Sequence, residues 1–146
     1  MTAAAAERQV VVGADGRAKA YRPLPVAERV AAVTAGLRAY ADGDFFAAHE
    51  LTEPAWMGTA DLAERDLIQG LIKLAAADVH GVRRNPRGIA RNLEGARDRL
   101  RSAGVGGCIT GIELDVPALL TAIDSRLADL AAARPSAPLV ISWRPR

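Results

Sequence analysis

The sequence has few aromatic residues: only 4% of its 146 residues are Phe, Tyr or Trp, although 50% are hydrophobic. Strands are enriched in aromatic and β-branched residues, so a core built largely from Ala, Leu and Val favours packed helices over sheets. The single cysteine, Cys108, excludes an internal disulfide and fits a reducing cytosol. The length suits one domain with one sizeable core.

Long apolar runs are also missing. None approaches the roughly 18–20 residues that a membrane-spanning helix needs, and the N-terminus lacks a charged segment followed by a long apolar run. We therefore expect no signal peptide, no membrane partner and a cytoplasmic location. The formal net charge is only +2, which excludes a strong cationic field over the whole molecule.

Hydrophobic spacing predicts an all-α fold, a compact antiparallel bundle of about five helices. Apolar residues recur at helical spacing, and side chains suited to N-capping stand before several of these runs. The predicted helices start near Pro25, Asp44, Leu62, Asn85 and Asp115, and the second and third end near Met57 and Val82. Short breaks between helices favour antiparallel neighbours.

Three regions follow from this pattern. Residues 1–24 are predicted to be a loosely ordered arm with a short extended piece at Val10–Val12. Residues 25–133 form the helical domain. Residues 134–146 are Pro-rich and are predicted to be an extended tail, in which the packing of Trp143 is left open.

The stretch DFFAAHELTEPAW, residues 44–56, concentrates the chain's unusual side chains. On a helix, His49, Glu53 and Trp56 share one face and Glu50 lies on the adjacent strip. Pro54 removes a backbone donor, so we expect a kink near Glu53.

Polar residues on the third helix should face this stretch. Gln69, Lys73 and His80 share a strip on a helix that is apolar nearly all round, and buried polar groups need partners. An antiparallel hairpin would bring the two strips together, with Lys73 neutralising the carboxylates. Asp78, Asp66 and Arg65 are predicted to be solvated. The predicted polar cluster comprises His49, Glu50, Glu53, Trp56, Gln69, Lys73 and His80.

Three interpretations of the cluster remain open: a structural polar contact, a pocket for a small molecule or protein, and a metal or catalytic site. The candidate metal ligands are His49, Glu53 and His80, and a metal-assisted hydrolase would use Glu50 as well. A carboxylate metal bundle needs Glu-x-x-His motifs, which the chain lacks. We therefore expect a non-enzymatic binding module without a cofactor, and an oligomeric contact is left open.

The fourth helix is unusually basic. Residues 83–101 contain seven arginines against Glu94 and Asp98. Such a helix can bind nucleic acid, but it has no aromatic residue for base stacking. A solvated face with salt bridges is the other interpretation. The candidate basic surface comprises Arg83, Arg84, Arg87, Arg91, Arg97 and Arg101.

Three blocks in order, FAAHELTEPAW, DLIQGLIKLAAADVH and NPRGIARNL, resemble the bacterial and archaeal family called domain of unknown function 309 (DUF309). The matching residues are Phe46, Ala48, His49, Glu50, Glu53 and Trp56, then Gln69, Gly70, Leu71, Ile72, Ala75 and His80, then Asn85 and Gly88. Ala47, Lys73 and Ile89 depart from the family pattern. The resemblance implies a compact helical fold with a pocket of His, Glu, Trp and Gln, and it does not indicate an activity.

Overall fold

The computed structural model describes residues 10–12, 18–104 and 107–146. In chain order the elements are β1 (Val10–Val12), β2 (Ala18–Ala20), α1 (Val26–Ala41), α2 (Phe45–Met57), α3 (Leu62–Val82), α4 (Pro86–Ser102), β3 (Ile112–Leu114), α5 (Val116–Ala131) and β4 (Trp143–Pro145). The predicted all-α fold is confirmed, and the strands are short.

Side-chain caps explain why the helices begin where they do. The carboxylate of Asp44 accepts a hydrogen bond from the backbone N–H of Ala47. The Asn85 side chain accepts one from Gly88, and the Asp115 side chain accepts one from Ala118. Each bond satisfies a backbone donor that the first helical turn leaves free. The predicted starts of α2, α4 and α5 are therefore confirmed.

Each helix packs against the next one along the chain, from α1 on α2 to α4 on α5. α3 supplies the largest share of the buried residues and lies between α2 and α4. Leu67, Ile68, Leu74, Leu93, Leu100 and Ile123 are among the fully buried side chains of the core. The core is aliphatic, as the composition predicts.

The first described segments form a hairpin in which β1 and β2 pair antiparallel, with Val11 opposite Lys19. The extended piece at Val10–Val12 is confirmed. The predicted arm, however, ran to residue 24, and its last four residues are attached to the bundle. The backbone N–H of Arg22 donates to the Met57 carbonyl at 3.1 Å, and that of Leu24 donates to the Gly58 carbonyl. Tyr21 is buried, and burial of this ring helps to dock the segment.

At the C-terminal end of the chain, β4 forms a two-stranded antiparallel sheet with β3. Glu113 lies opposite Arg144, and the Arg144 guanidinium donates two hydrogen bonds of 2.9 Å to the Glu113 carboxylate. Trp143 is partly buried against the core. No helix in the described ranges is long and apolar enough to cross a bilayer.

Candidate functional site

The outward face of α2 carries the histidine and the carboxylates of the predicted cluster. The opposite face of the helix is buried through Ala48, Thr52, Ala55 and Trp56. Helical periodicity then leaves His49, Glu50 and Glu53 on the rim and outer side of the helix. The His49 side chain is 27% exposed and that of Glu50 is 55% exposed.

These three side chains lie close enough to act together. His49 Nδ1 lies 3.2 Å from Glu50 Oε1, and one ligand atom from each of the three residues lies within 4.8 Å of the other two. Bonds from zinc to nitrogen or oxygen are about 2.0–2.2 Å long, so two ligand atoms on one tetrahedral ion lie roughly 3.4 Å apart. Small rotations of these side chains on the exposed helix face would bring the ligand atoms from their present separation to the separation found on a bound ion.

Exposed apolar residues flank this group on the same helix. Phe46 is 66% exposed, and Leu51 is also exposed. α2 continues as one helix through Pro54 to Met57. Phe46 lies one helical turn before His49 and Glu50 and two turns before Glu53, so this face of the helix has both polar and apolar parts.

Trp56 belongs to the core and not to the exposed group. It is only 3% exposed, and it lies among the aliphatic residues of the core. Its buried ring therefore fixes α2 in the bundle. The same contact holds the backbone of Glu53 and His49, which lie one and two turns earlier on the helix.

The structure divides the predicted polar cluster between two sides of α3. Gln69 is buried, and Lys73 lies against α4, where its aliphatic chain covers Gly95. Burial and the positive charge of Arg99 lower the pKa of Lys73, and Asp98 opposes them. The charged neighbours of Lys73 are thus on α4, which corrects the prediction that it neutralises Glu50 and Glu53.

His80 also lies against α4. Its Nδ1 lies 3.2 Å from the Asn85 side-chain nitrogen, and its ring packs directly on Gly88, where a Cβ would collide with it. Among the described residues, the group that could hold a metal ion comprises His49, Glu50 and Glu53. The structure does not bring the candidate ligand His80 into this group, because the ring supports the turn between α3 and α4.

A buried polar network was missed from the sequence. Asp78 is only 2% exposed, and its carboxylate accepts hydrogen bonds from the Tyr40 hydroxyl at 2.5 Å and from Arg126 Nη2 at 2.6 Å. The prediction that Asp78 is solvated is wrong, because α1 and α5 both supply buried partners. The sequence did contain a signal for this network: Asp78 is an acidic residue on the apolar surface of α3, and a buried charge needs a partner.

This network also holds the tail. The Tyr40 hydroxyl accepts a hydrogen bond from the Leu139 backbone N–H, and Arg126 Nε donates to Ser136 Oγ. Burial, with the negative charge of Asp78, raises the pKa of Tyr40 well above its ordinary value. Tyr40 therefore stays protonated and continues to donate to Asp78.

Asp66 and Arg65, the other residues predicted to be solvated, have protein partners. The Asp66 carboxylate accepts hydrogen bonds from Arg99 and from Ser102 at the end of α4. Arg65 Nε donates to the Thr59 carbonyl, and its guanidinium lies 5.9 Å from the centre of the Tyr21 ring. Both residues are half-buried, so the prediction is wrong for them in part.

The arginines of the basic surface behave in two ways. Arg97 and Arg101 both pair with Asp124 of α5, at 3.1 and 3.8 Å. Arg83, Arg84, Arg87 and Arg91 are exposed. The first half of this surface therefore remains open to solvent, and the second half serves the contact between helices.

No curated protein and no solved structure matches this chain. A family model does: the family described as Domain of unknown function (DUF309) matches residues 33–92. The match takes in most of α1, all of α2 and α3 and the start of α4, and it includes His49, Glu50 and Glu53. The chain therefore resembles the DUF309 family over residues 33–92, which confirms the resemblance read from its sequence.

Proposed function

We propose that this protein is a non-enzymatic binding module whose ligand site is the outward face of α2, where His49, Glu50 and Glu53 hold a divalent transition-metal ion. The observation that carries the proposal is the approach of one nitrogen and two carboxylate ligands to within 4.8 Å of one another on a solvent-accessible helix face.

The ligand types indicate the class of metal. Imidazole suits zinc, iron, nickel and copper, whereas all-oxygen sites suit magnesium and calcium. A mixed set with one histidine and two glutamates should therefore prefer zinc over magnesium. Three protein ligands leave a fourth position on a tetrahedral ion for water or for a bound molecule.

The charge around the site supports a cation. The carboxylates of Glu50 and Glu53 lie beside one another at the rim of α2, with His49 next to them. A divalent ion would offset their mutual repulsion. Phe46, on the same face one turn before His49 and Glu50, provides exposed apolar surface for a molecule bound to the open position. The hydrolase considered from the sequence would also need His80, whose ring contacts Asn85 and Gly88.

Isothermal titration of untagged, metal-free protein with Zn²⁺ tests this proposal. We expect one ion per chain, at least tenfold weaker binding in His49→Ala, and weaker binding in Glu50→Gln. Mg²⁺ should compete poorly because it prefers oxygen ligands.

The control is His80→Ala, which removes the chain's other histidine. It should bind Zn²⁺ as the unmodified protein does, and circular dichroism should show that both variants are folded. The proposal fails if the unmodified protein binds no zinc, or if His80→Ala loses as much affinity as His49→Ala.

A further inference from the structure

The corner between α3 and α4 carries a cluster of arginines that the fold itself does not use. We propose that this corner binds the phosphate backbone of a nucleic acid duplex, without sequence specificity, through Arg83, Arg84, Arg87 and Arg91. The proposal involves none of the α2 residues, so it stands or falls independently of the metal site.

The pairing of the arginines along α4 separates two roles. In the second half of the helix, Arg97 and Arg101 pair with Asp124 and Arg99 pairs with Asp66 at 3.3 Å. These contacts attach α4 to α5 and α3.

The four arginines at the corner make no such contact. Across the described ranges, none of them has an ion pair or a side-chain hydrogen bond, and all four are exposed. Their charge is therefore free to act on a partner.

The backbone fixes where these side chains originate. Arg83 caps the C-terminal end of α3 directly after Val82, and the N–H of Asn85 donates to the His80 carbonyl at 2.9 Å, which closes the turn. Arg84 lies in the turn, and Arg87 and Arg91 follow one helical turn apart on the same side of α4. Four guanidinium groups thus project from a short, well-supported segment.

Arg84 has a φ of +55°, in the left-handed region that favours glycine. Ala133 adopts the same conformation after α5, so this is a way of ending a helix that does not require arginine. The turn therefore does not require a long cationic side chain at position 84, and the Arg84 side chain is left exposed at the end of α3.

Phosphate is the chemistry that fits these groups. A guanidinium donates two parallel hydrogen bonds to phosphate oxygens, and contacts to the backbone carry no sequence information. Between Trp56 and Trp143 the chain has no aromatic residue, so base stacking of the kind used for single strands is absent from this corner. A duplex read through its phosphates needs no stacking.

A protein partner fits the corner less well. Interfaces between proteins usually have an apolar centre surrounded by polar groups. Among residues 82–91 of the described chain, Val82 is the large hydrophobic residue with an exposed side chain. One valine is too little apolar surface for such a centre.

Fluorescence anisotropy of a short labelled DNA duplex of mixed sequence tests the proposal, with the full chain measured over a range of salt concentrations. The test variant is Arg84→Gly/Arg87→Ala/Arg91→Ala. The matched control, Arg22→Ala/Arg38→Ala/Arg146→Ala, removes the same charge from exposed arginines elsewhere. Circular dichroism checks that both are folded, and Arg87→Lys/Arg91→Lys provides a variant that keeps the charge.

We expect the test variant to bind at least tenfold more weakly at low salt. The slope of log affinity against log salt should become shallower by roughly 0.9 for each phosphate contact removed, or about 2.7 for three. The control should keep the slope and nearly all of the affinity. The lysine variant should keep the slope and lose affinity, because it retains charge without bidentate geometry.

Three outcomes would overturn the proposal. The first is no binding by the unmodified chain at low salt. The second is equal weakening in the control, which would assign binding to the net charge of the molecule. The third is stronger competition by polyglutamate than by duplex at the same charge concentration, which would assign the corner to an acidic protein.

Discussion

Asp78 shows how one residue can organise distant parts of a helical chain. It lies on α3, and its two oxygens receive Tyr40 of α1 and Arg126 of α5. Through the same two partners it holds Ser136 and Leu139 of the tail. A buried ion pair adds little net stability compared with an apolar pair, but breaking one leaves an uncompensated charge. The network should therefore be intolerant of single changes.

Arg126→Met should reduce the free energy of unfolding by about 3–5 kcal/mol, because it leaves the Asp78 carboxylate buried without a cation. Asp78→Asn in the same chain removes that charge, so the double variant should lose less than Arg126→Met alone. Urea unfolding of both variants measures the difference. A loss below about 1 kcal/mol in Arg126→Met would show that this substitution does not leave an uncompensated buried charge on Asp78.

Tyr40 makes stability depend on alkaline pH. Burial and Asp78 raise the pKa of Tyr40 in the folded state, whereas the unfolded chain titrates near the ordinary tyrosine value of about 10. Above that pH the unfolded chain releases a proton that the folded chain keeps, so the free energy of unfolding should fall as pH rises. The stabilisation is fully present below pH of about 10.

Tyr40→Phe removes the titrating group, so its unfolding free energy should fall less steeply between pH of about 10 and 11. The comparison with the unmodified chain separates the contribution of Tyr40 from that of Lys73. The pKa of Lys73 is lowered in the folded state, so at pH values below the ordinary lysine pKa this residue makes the free energy of unfolding rise with pH. Urea unfolding at a series of pH values measures both slopes. Identical slopes would show that Tyr40 ionises as readily folded as unfolded.

At the scale of the elements, α1 and α2 approach closely because Gly36 has no side chain. A Cβ at position 36 would collide with Thr52 Oγ1 and would press on the Ala48 carbonyl. Thr52 cannot easily turn away, because its hydroxyl donates to the Ala48 carbonyl at 2.7 Å within a buried contact. This contact sets the distance between α1 and the helix that carries the proposed metal site.

Gly36→Ala should reduce the free energy of unfolding by about 1–3 kcal/mol, which is typical of overpacking in a core. Gly36→Ala/Thr52→Ala removes the hydroxyl that would be struck and should recover part of the loss. Gly95→Ala is the matched control, since the atoms nearest to its Cβ would belong to the flexible side chain of Lys73. If Gly36→Ala is as stable as Gly95→Ala, the two helices are not held at the distance described.

The helices themselves were predictable, since their signals are local. The caps Asp44, Asn85 and Asp115 and the apolar spacing between them locate most helix boundaries to within about one residue. The docking of residues 21–24 on Gly58 was not predictable, because it depends on a contact with the end of α2. Local sequence contains no information about that neighbour.

In the whole molecule, each helix has several possible neighbours, and the sequence does not show which of them each helix face contacts. Gln69, Lys73 and His80 do share a strip of α3, but α3 lies between α2 and α4. The rotation of α3 between them turns Lys73 and His80 towards α4. Asp78 escaped prediction for the same reason, since its partners lie 38 and 48 residues away in the sequence.

The candidate site was predicted only in part. The helical spacing of His49, Glu50 and Glu53 within one segment was enough to place them together, because i and i+4 positions on a helix are neighbours. Their exposure could not be read from the spacing, since it depends on where α1 and α3 cover α2. The same whole-molecule packing pairs Arg97 and Arg101 with Asp124 and leaves the α3–α4 corner uncovered.

We propose that His49 on the face of α2 binds a metal ion and that His80 does not. The most direct test is a proton–nitrogen NMR spectrum of the histidine rings in the full, untagged chain during titration with Zn²⁺. We expect the ring nitrogen signals of His49 to shift and to saturate at one ion per chain, while those of His80 stay in place. Unchanged His49 signals, or equal shifts of both rings, would contradict it.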